Sequence, residues 1–169
     1  MRLPHSWIMR PWRDARGRAT GSPIALKRCR PGCPRIGSRC RERASMIARC
    51  FVDANVLVYA HGPGGRGETA RALVRDLSAA DALVVSSQVV AETFVNLARL
   101  SDADTADAQI NDLLEASECL AVGIDTVQLA LRLRRRFGLS YWDAQIVASA
   151  ALGETRILLT EDLQSGQVI

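Results

Sequence analysis

From residue 46 onward the chain is a series of short apolar runs separated by segments of helical period, and their order limits what it can build. Ala48 to Val52 reads as a short buried strand, followed at once by Ala54 to His61 as a short helix. Gly62, Pro63, Gly64, Gly65 and Gly67 then predict a flexible loop. Glu68 to Ala80 carries Ala72, Leu73 and Leu77 at helical spacing, and Ala82 to Val85 is a second strand running into Ser86 and Ser87. Ser87 to Leu100 predicts a strong amphipathic helix whose apolar stripe is Val90, Phe94 and Leu97. Asp102 to Ala116 predicts another helix, with its acids on a solvated face, and Cys119 to Val122 a third strand. A helix opens at Asp125 and closes with Arg134, Arg135, Arg136 and Gly138, cations in a last turn followed by glycine. Ser140 caps a helix from Tyr141 to Leu152, with Ile146, Val147, Ala148, Ala150 and Ala151 packed inward, and Arg156 to Leu159 is a fourth strand. Strands alternating with helices predict an α/β domain with a parallel sheet, whose right-handed crossovers gather the strand C-termini along one edge.

Charge divides the chain at the same place. Residues 1–45 hold 12 of the 22 Lys and Arg against only Asp14 and Glu42, whereas residues 46–169 hold 10 basic and 16 acidic groups and no Lys. The formal net charge of +4 therefore belongs to the leader, and the body, at −6, cannot attract a polyanion by its overall field. The leader also holds five of the six prolines and no apolar period, which predicts disorder. Its Arg-rich, acid-poor character fits a transit peptide, but Pro4, Pro11, Pro23, Pro31 and Pro34 oppose the amphipathic helix that one needs. A basic nucleic-acid arm is weakly supported. The favoured reading is that Met46 is the natural start and that residues 46–169 are the single domain. Cys29, Cys33 and Cys40 lack a nearby fourth zinc ligand other than His5. Unpaired body thiols suit a reducing cytoplasm, and no apolar run is long enough to span a membrane.

Candidate chemistry begins at Asp53, an acid within Cys-Phe-Val-Asp-Ala-Asn-Val-Leu-Val-Tyr. An ionised carboxylate in apolar company loses hydration worth several kcal/mol unless a cation or hydrogen-bond donors replace it. Glu92, Asp143 and Asp162 each stand beside an apolar run of their own, and a parallel sheet puts Asp53 and Asp162 on the same edge. Four converging carboxylates repel, and either one takes up a proton or a divalent cation relieves them. Mg²⁺ accepts one or two carboxylates with retained waters, leaving the other acids to hold those waters. Each acid also has a plainer reading: Asp53 as a helix cap, Asp143 in the Ser140-x-x-Asp143 capping box, Glu92 on a helix surface with Asn96 or Arg99, Asp162 in a turn.

Phe51-Val52-Asp53-Ala54-Asn55, Ser87-Gln88-Val89-Val90-Ala91-Glu92, Tyr141-Trp142-Asp143-Ala144 and Leu159-Thr160-Glu161-Asp162-Leu163 together resemble the successive motifs of the PIN-domain family, and more narrowly its VapC-type toxins of bacterial toxin–antitoxin pairs. The resemblance covers residues 47 to about 167. It implies a three-layer α/β/α domain with a short parallel sheet and a Mg²⁺- or Mn²⁺-dependent endoribonuclease, homodimeric and held inactive by a small antitoxin. By motif position the metal-site acids are Asp53, Glu92, Asp143 and Asp162, supported by Asn55 and Thr160. Family members continue through a further edge strand beyond the point where this chain stops, so a truncated, inactive scaffold that binds only an antitoxin or RNA is the alternative.

The implied chemistry is hydrolysis by a metal-activated water, which needs no histidine base. His61, in the Gly-rich segment, accordingly has no expected role. Arg132, Arg134, Arg135 and Arg136 are read as a solvated helix end before they are read as phosphate contacts. The Gly-rich segment is no P-loop, since no Gly-Lys-Ser/Thr follows. A phosphoryl-transfer enzyme with Asp53 as nucleophile is disfavoured by the body's lack of lysine.

Overall fold

A computed structural model describes residues 48–163. The leader, Met46, the Cys29–Cys33–Cys40–His5 group and the terminus where a further edge strand is expected lie outside the described residues. Ten elements follow one another: β1 (Cys50–Val52), α1 (Ala54–His61), α2 (Gly64–Ala79), β2 (Leu83–Ser86), α3 (Ser87–Leu100), α4 (Ala103–Ala116), β3 (Glu118–Leu120), α5 (Ile124–Phe137), α6 (Tyr141–Leu152) and β4 (Ile157–Leu159). The four strands form one parallel sheet in the order β3-β2-β1-β4.

β1 is central and wholly buried, which is why Cys-Phe-Val shows no polar alternation: helices cover both faces of such a strand. It pairs with β2 through Cys50↔Leu83 and Phe51↔Val84, and with β4 through Cys50↔Ile157 and Val52↔Leu159. The chain runs from β1 outward to β3, then returns to place β4 on the other side of β1. The strand order therefore reverses between β1 and β4, and the crevice beyond their C-terminal ends is where open parallel sheets bind ligands.

The helices fall into two groups, α1 with α2, α3 and α4, and α5 with α6. With the sheet between them they give the expected α/β/α layering. Helix α6 is buried along its length from Ala144 to Ala150, including Gln145 and Ser149, as befits a helix apolar nearly all round. The acids of α4 are solvated as expected, with Ala106 its one buried residue.

Two local expectations are corrected. The buried residues of α3 are Gln88, Val89, Thr93 and Leu97, so Val90 and Phe94 sit on the flank of the stripe and not at its centre. The period was right and its phase was one residue off, because Thr93 buries its hydroxyl by donating to the Val89 carbonyl at 2.7 Å. The glycine-rich segment is no open loop either, for α2 starts at Gly64 after Pro63. Gly67 is buried where α2 crosses the end of α1, and Arg71 donates to the Ala60 and Gly62 carbonyls at 3.0 and 2.7 Å, satisfying helix-end acceptors. Of these glycines Gly67 answers to the close packing of the two helices, while Gly64 takes a left-handed φ of 82° where α2 begins.

A Cβ at position 67 would run into the Gly62 carbonyl, whereas one at Gly65 meets nothing within 4 Å. Gly67→Ala is expected to cost about 1–3 kcal/mol as overpacking against backbone. Gly65→Ala, in the first turn of α2, is expected to stabilise by about 0.5–1 kcal/mol. Urea unfolding of the two variants checks the crossing; equal effects would mean that α2 does not lie this close to α1.

Candidate functional site

Asp53 is the residue immediately after β1 and the N-cap of α1. Its backbone N–H donates to the Leu159 carbonyl at 3.0 Å, so the pairing of β1 with β4 extends into the site. The carboxylate is only 2% exposed. Oδ1 accepts from the Ala54 N–H at 2.7 Å and Oδ2 from the Thr160 hydroxyl at 2.6 Å. The plainer capping role is thus real, but it occupies one oxygen only. Burial pushes the Asp53 carboxyl up to about 6; the Thr160 and Ala54 hydrogen bonds pull it down, and the nearby charges of Asp162 and Glu92 push it further up. Repulsion among the acids is therefore present as expected, with loss of hydration the larger cause.

Thr160 and Asp162 follow β4. The Thr160 Oγ1 that serves Asp53 also accepts from the Asp162 N–H at 3.2 Å, and Asp162 Oδ2 accepts from the Asn55 amide at 3.2 Å. Asn55, the second residue of α1, leaves its own Oδ1 buried with no hydrogen-bond partner. The adjacent acid is turned elsewhere: Glu161 accepts from the Tyr59 hydroxyl at 2.7 Å and pairs with Arg66 at 3.5 Å. Neighbouring acids thus separate into one that faces the cavity and one that holds α1 and α2.

Glu92 and Asp143 arrive from α3 and α6. Glu92 Oε1 accepts from the Gln88 amide at 2.9 Å, and Gln88 Oε1 accepts in turn from the Gln145 amide at 2.7 Å in a buried contact. Asp143 Oδ2 accepts from the Ser140 hydroxyl at 2.8 Å, while Ser140 Oγ accepts from the Asp143 N–H at 3.1 Å. This reciprocal pair is the capping arrangement anticipated for Ser-x-x-Asp, and it leaves Oδ1 of Asp143 uncommitted to it. Asn96 donates to the Glu92 backbone carbonyl at 2.9 Å, so its anticipated contact with that carboxylate is not the one formed.

Glu92, Asp143 and Asp162 line one cavity of about 720 Å³ between α3, α6 and the end of β4. Asp53 lies buried beside it, within electrostatic reach of two of the three. Among the described residues no three acids are gathered tightly enough to chelate an ion as they stand. The donor chemistry nonetheless fits a hard divalent cation: every donor is oxygen, the buried acid is held at about 6 in part by its like-charged neighbours, and the Asn55 carbonyl lacks a donor. Magnesium keeps several of its waters and takes only one or two carboxylates directly, so acids spread around a cavity are an arrangement it accepts. Sequence reasoning missed the buried amides Gln88 and Gln145, for which the available signal was glutamine set within otherwise apolar helix faces.

A family model described as PIN domain matches residues 50–167. Among solved structures, the toxin VapC20 of Mycobacterium tuberculosis, described as cleaving the sarcin-ricin loop, is similar with a TM-score of 0.51 at 22% identity, over 62% of this chain and 82% of that one. A toxin–antitoxin complex from Klebsiella pneumoniae gives a TM-score of 0.56 at 17% identity, over 69% of this chain and 88% of that one. At these identities the likeness is one of fold. No curated protein sequence matches the chain.

The raised Asp53 carboxyl has a consequence for stability. Its pKa is near 3.8 unfolded and about 6 folded, so in metal-free protein the folded state binds the proton more tightly. The contribution of Asp53 to stability is therefore fully present below pH 3.8 and is lost as pH rises through about 6, by about 2–3 kcal/mol. Asp53→Asn removes this penalty. In chelator the variant should be more stable than the parent by about that amount at neutral pH, and equal to it in acid. Chemical denaturation at both pH values checks this, and a variant less stable at neutral pH would mean that the carboxylate is not desolvated.

Proposed function

This chain belongs to the PIN-domain family, and from that membership we propose that it is a metal-dependent endoribonuclease, the toxin of a toxin–antitoxin pair, hydrolysing RNA phosphodiester bonds. The observation that carries the reading is the shared cavity: Glu92, Asp143 and Asp162 line it from three different elements, and the buried Asp53 feels two of them. Taken singly each acid has a structural explanation, but caps and turns do not require three acids to open on one space.

On this reading Asp53, Glu92, Asp143 and Asp162 would hold Mg²⁺ or Mn²⁺. Such a cation, when bound, would supply positive charge at the scissile phosphate and would lower the pKa of an attacking water. The chain's own residues do the rest by orientation. Thr160 keeps Asp53 Oδ2 fixed and ties it to the Asp162 backbone. The Gln145–Gln88 amide pair holds Glu92 Oε1, so that its other oxygen faces a defined direction. Asp162, exposed and held through Oδ2 alone by Asn55, has Oδ1 available to take a proton from incoming water. Neither His61 nor the arginines closing α5 is needed for these steps.

The proposed partners are an RNA substrate, a small cognate antitoxin and a second copy of the chain. Cys50 and Cys119 are free thiols, which supports a reducing cytoplasm, and no helix among the described residues is long and apolar enough to cross a membrane. The competing reading, a scaffold that binds an antitoxin or RNA without cleaving, keeps the same cavity and differs only in turnover.

Incubating the full chain with mixed RNA separates the two. Cleavage is expected in Mn²⁺ or Mg²⁺, none in chelator, and a loss of about a hundredfold or more in Asp53→Asn. Undiminished cleavage by that variant would remove Asp53 from the site, and no cleavage by the parent with either metal would leave the scaffold.

A further inference from the structure

One wall of the cavity has no part in the chemistry above. Beside the acids the cavity is lined by Ala91, Val95, Val122, Trp142 and Ile146, and by Arg99 as a cation. Trp142 is 60% exposed and Val95 45% exposed. An indole left that open forgoes a burial worth more than that of almost any other side chain. Tyr141 meets its ring edge-on, with centroids 5.4 Å apart and planes at 72°, a contact that leaves the faces of the indole unstacked by Tyr141. Trp142 also immediately precedes Asp143 in the first turn of α6, so the ring and the carboxylate are carried by one rigid segment.

Resting on the nuclease reading, we propose that Trp142 is a base-stacking platform, and that the cavity takes an unpaired nucleotide, its base against Trp142 and its phosphate towards the acids and Arg99. The committed occupant is a single-stranded or looped segment of RNA. The open indole and Arg99 favour it over a helix of a protein partner: a nucleotide presents a flat face to stack on the ring and an anion for Arg99 within one such volume, whereas a helix would leave the ring's open face without a planar partner. Stacking needs no complementary charge, which matters where the surrounding acids would repel a phosphate backbone. It also requires the base to leave a duplex, since a paired and stacked base offers no free face. Among the described residues Arg99 has no carboxylate within ion-pairing distance, so it is available to a phosphate.

Trp142 is then a binding and specificity residue for unpaired RNA, and it leaves the proton transfers to the acids. The test uses the full chain, a short randomised single-stranded RNA, the same RNA annealed to its complement, and an abasic ribose-phosphate oligomer. Binding is read by fluorescence anisotropy in chelator, where no cleavage intervenes, and cleavage kinetics are read separately in Mn²⁺. The expected result is that the parent prefers the single strand to both the duplex and the abasic oligomer. Trp142→Ala should weaken single-strand binding about tenfold or more, and Trp142→Phe should restore much of it. In cleavage, KM should rise with kcat largely retained. Because Trp142 is mostly exposed, its melting temperature should be unchanged, which separates loss of stacking from loss of fold. Equal binding of the single strand by parent and Trp142→Ala would overturn the proposal. So would unchanged RNA binding together with a change of oligomeric state, which would give the ring to a protein interface. If the parent binds and discriminates by Trp142 but cleaves nothing in either metal, the stacking platform stands and the nuclease reading falls.

Discussion

The arrangement depends on keeping one carboxylate out of water at the end of the central strand. Asp53 is 2% exposed and directly follows three fully buried residues, so moving it outward would require unpacking the middle of the sheet. What makes the position tolerable is β4. The Asp53 N–H is bound to the Leu159 carbonyl, and the next residue along β4, Thr160, donates its hydroxyl to the carboxylate. A one-residue slip of β4 against β1 would turn Thr160 to the opposite face and leave a buried oxygen unsatisfied, a cost of about 1–3 kcal/mol or more for a charged group. Strand register and site geometry are thus one constraint, and it operates at the point where the strand order reverses.

Around that centre the polar groups form short chains and not isolated pairs. Thr160 links Asp53 to the Asp162 backbone; Gln145 links α6 through Gln88 to Glu92; Ser140 and Asp143 close on each other. The glutamine pair is the one that joins the two helical layers, since α3 belongs to one group and α6 to the other. Buried amides that satisfy each other are specific in direction, and a donor used towards Glu92 is not free to rotate elsewhere. Asp53 therefore has both oxygens restrained by the protein, and Glu92, Asp143 and Asp162 have one each, which holds like charges near each other against their repulsion. This is preorganisation of the kind a cation-dependent site requires.

Much of this was legible in the residues. Every strand and helix was anticipated in the right order, because short apolar runs after glycine or polar breaks and helical spacings of apolar residues are strong local signals. Asp53 stood out since an acid in an apolar decapeptide demands compensation, and Thr160 and Asn55 were reached through the motifs. The phase of α3 was not legible, because a buried threonine that satisfies itself on its own helix looks polar in sequence. The start of α2 was missed for the opposite reason: Gly67, needed for the close approach of two helices, stands in a cluster with Gly62, Gly64 and Gly65 whose composition is that of a loop. Gln88 and Gln145 depend on a contact across 57 residues, which no local pattern records. Trp142 was quoted as part of a motif, but its exposure beside the acids is a property of the folded surface.

The charge of the body sets a further condition on how RNA is held. Residues 46–169 carry six more acidic than basic groups, and 16 acids with no lysine give a surface that repels a polyanion at long range. Most nucleic-acid binding is dominated by lysine and arginine displacing counterions from phosphates, a route that an acidic body largely closes. Within residues 46–169, affinity on the proposed reading must then come from terms that do not depend on net charge: a cation shared between carboxylates and one phosphate, a single arginine at the cavity, and stacking of a base on the indole; any long-range attraction belongs to residues 1–45, which carry the chain's positive excess. These act only at contact range and only on a nucleotide already free of a duplex. On that reading the acidic segment 46–169 gains little from binding RNA at random and discriminates by shape at the moment of contact, so the same surface that weakens general association sharpens the choice of substrate.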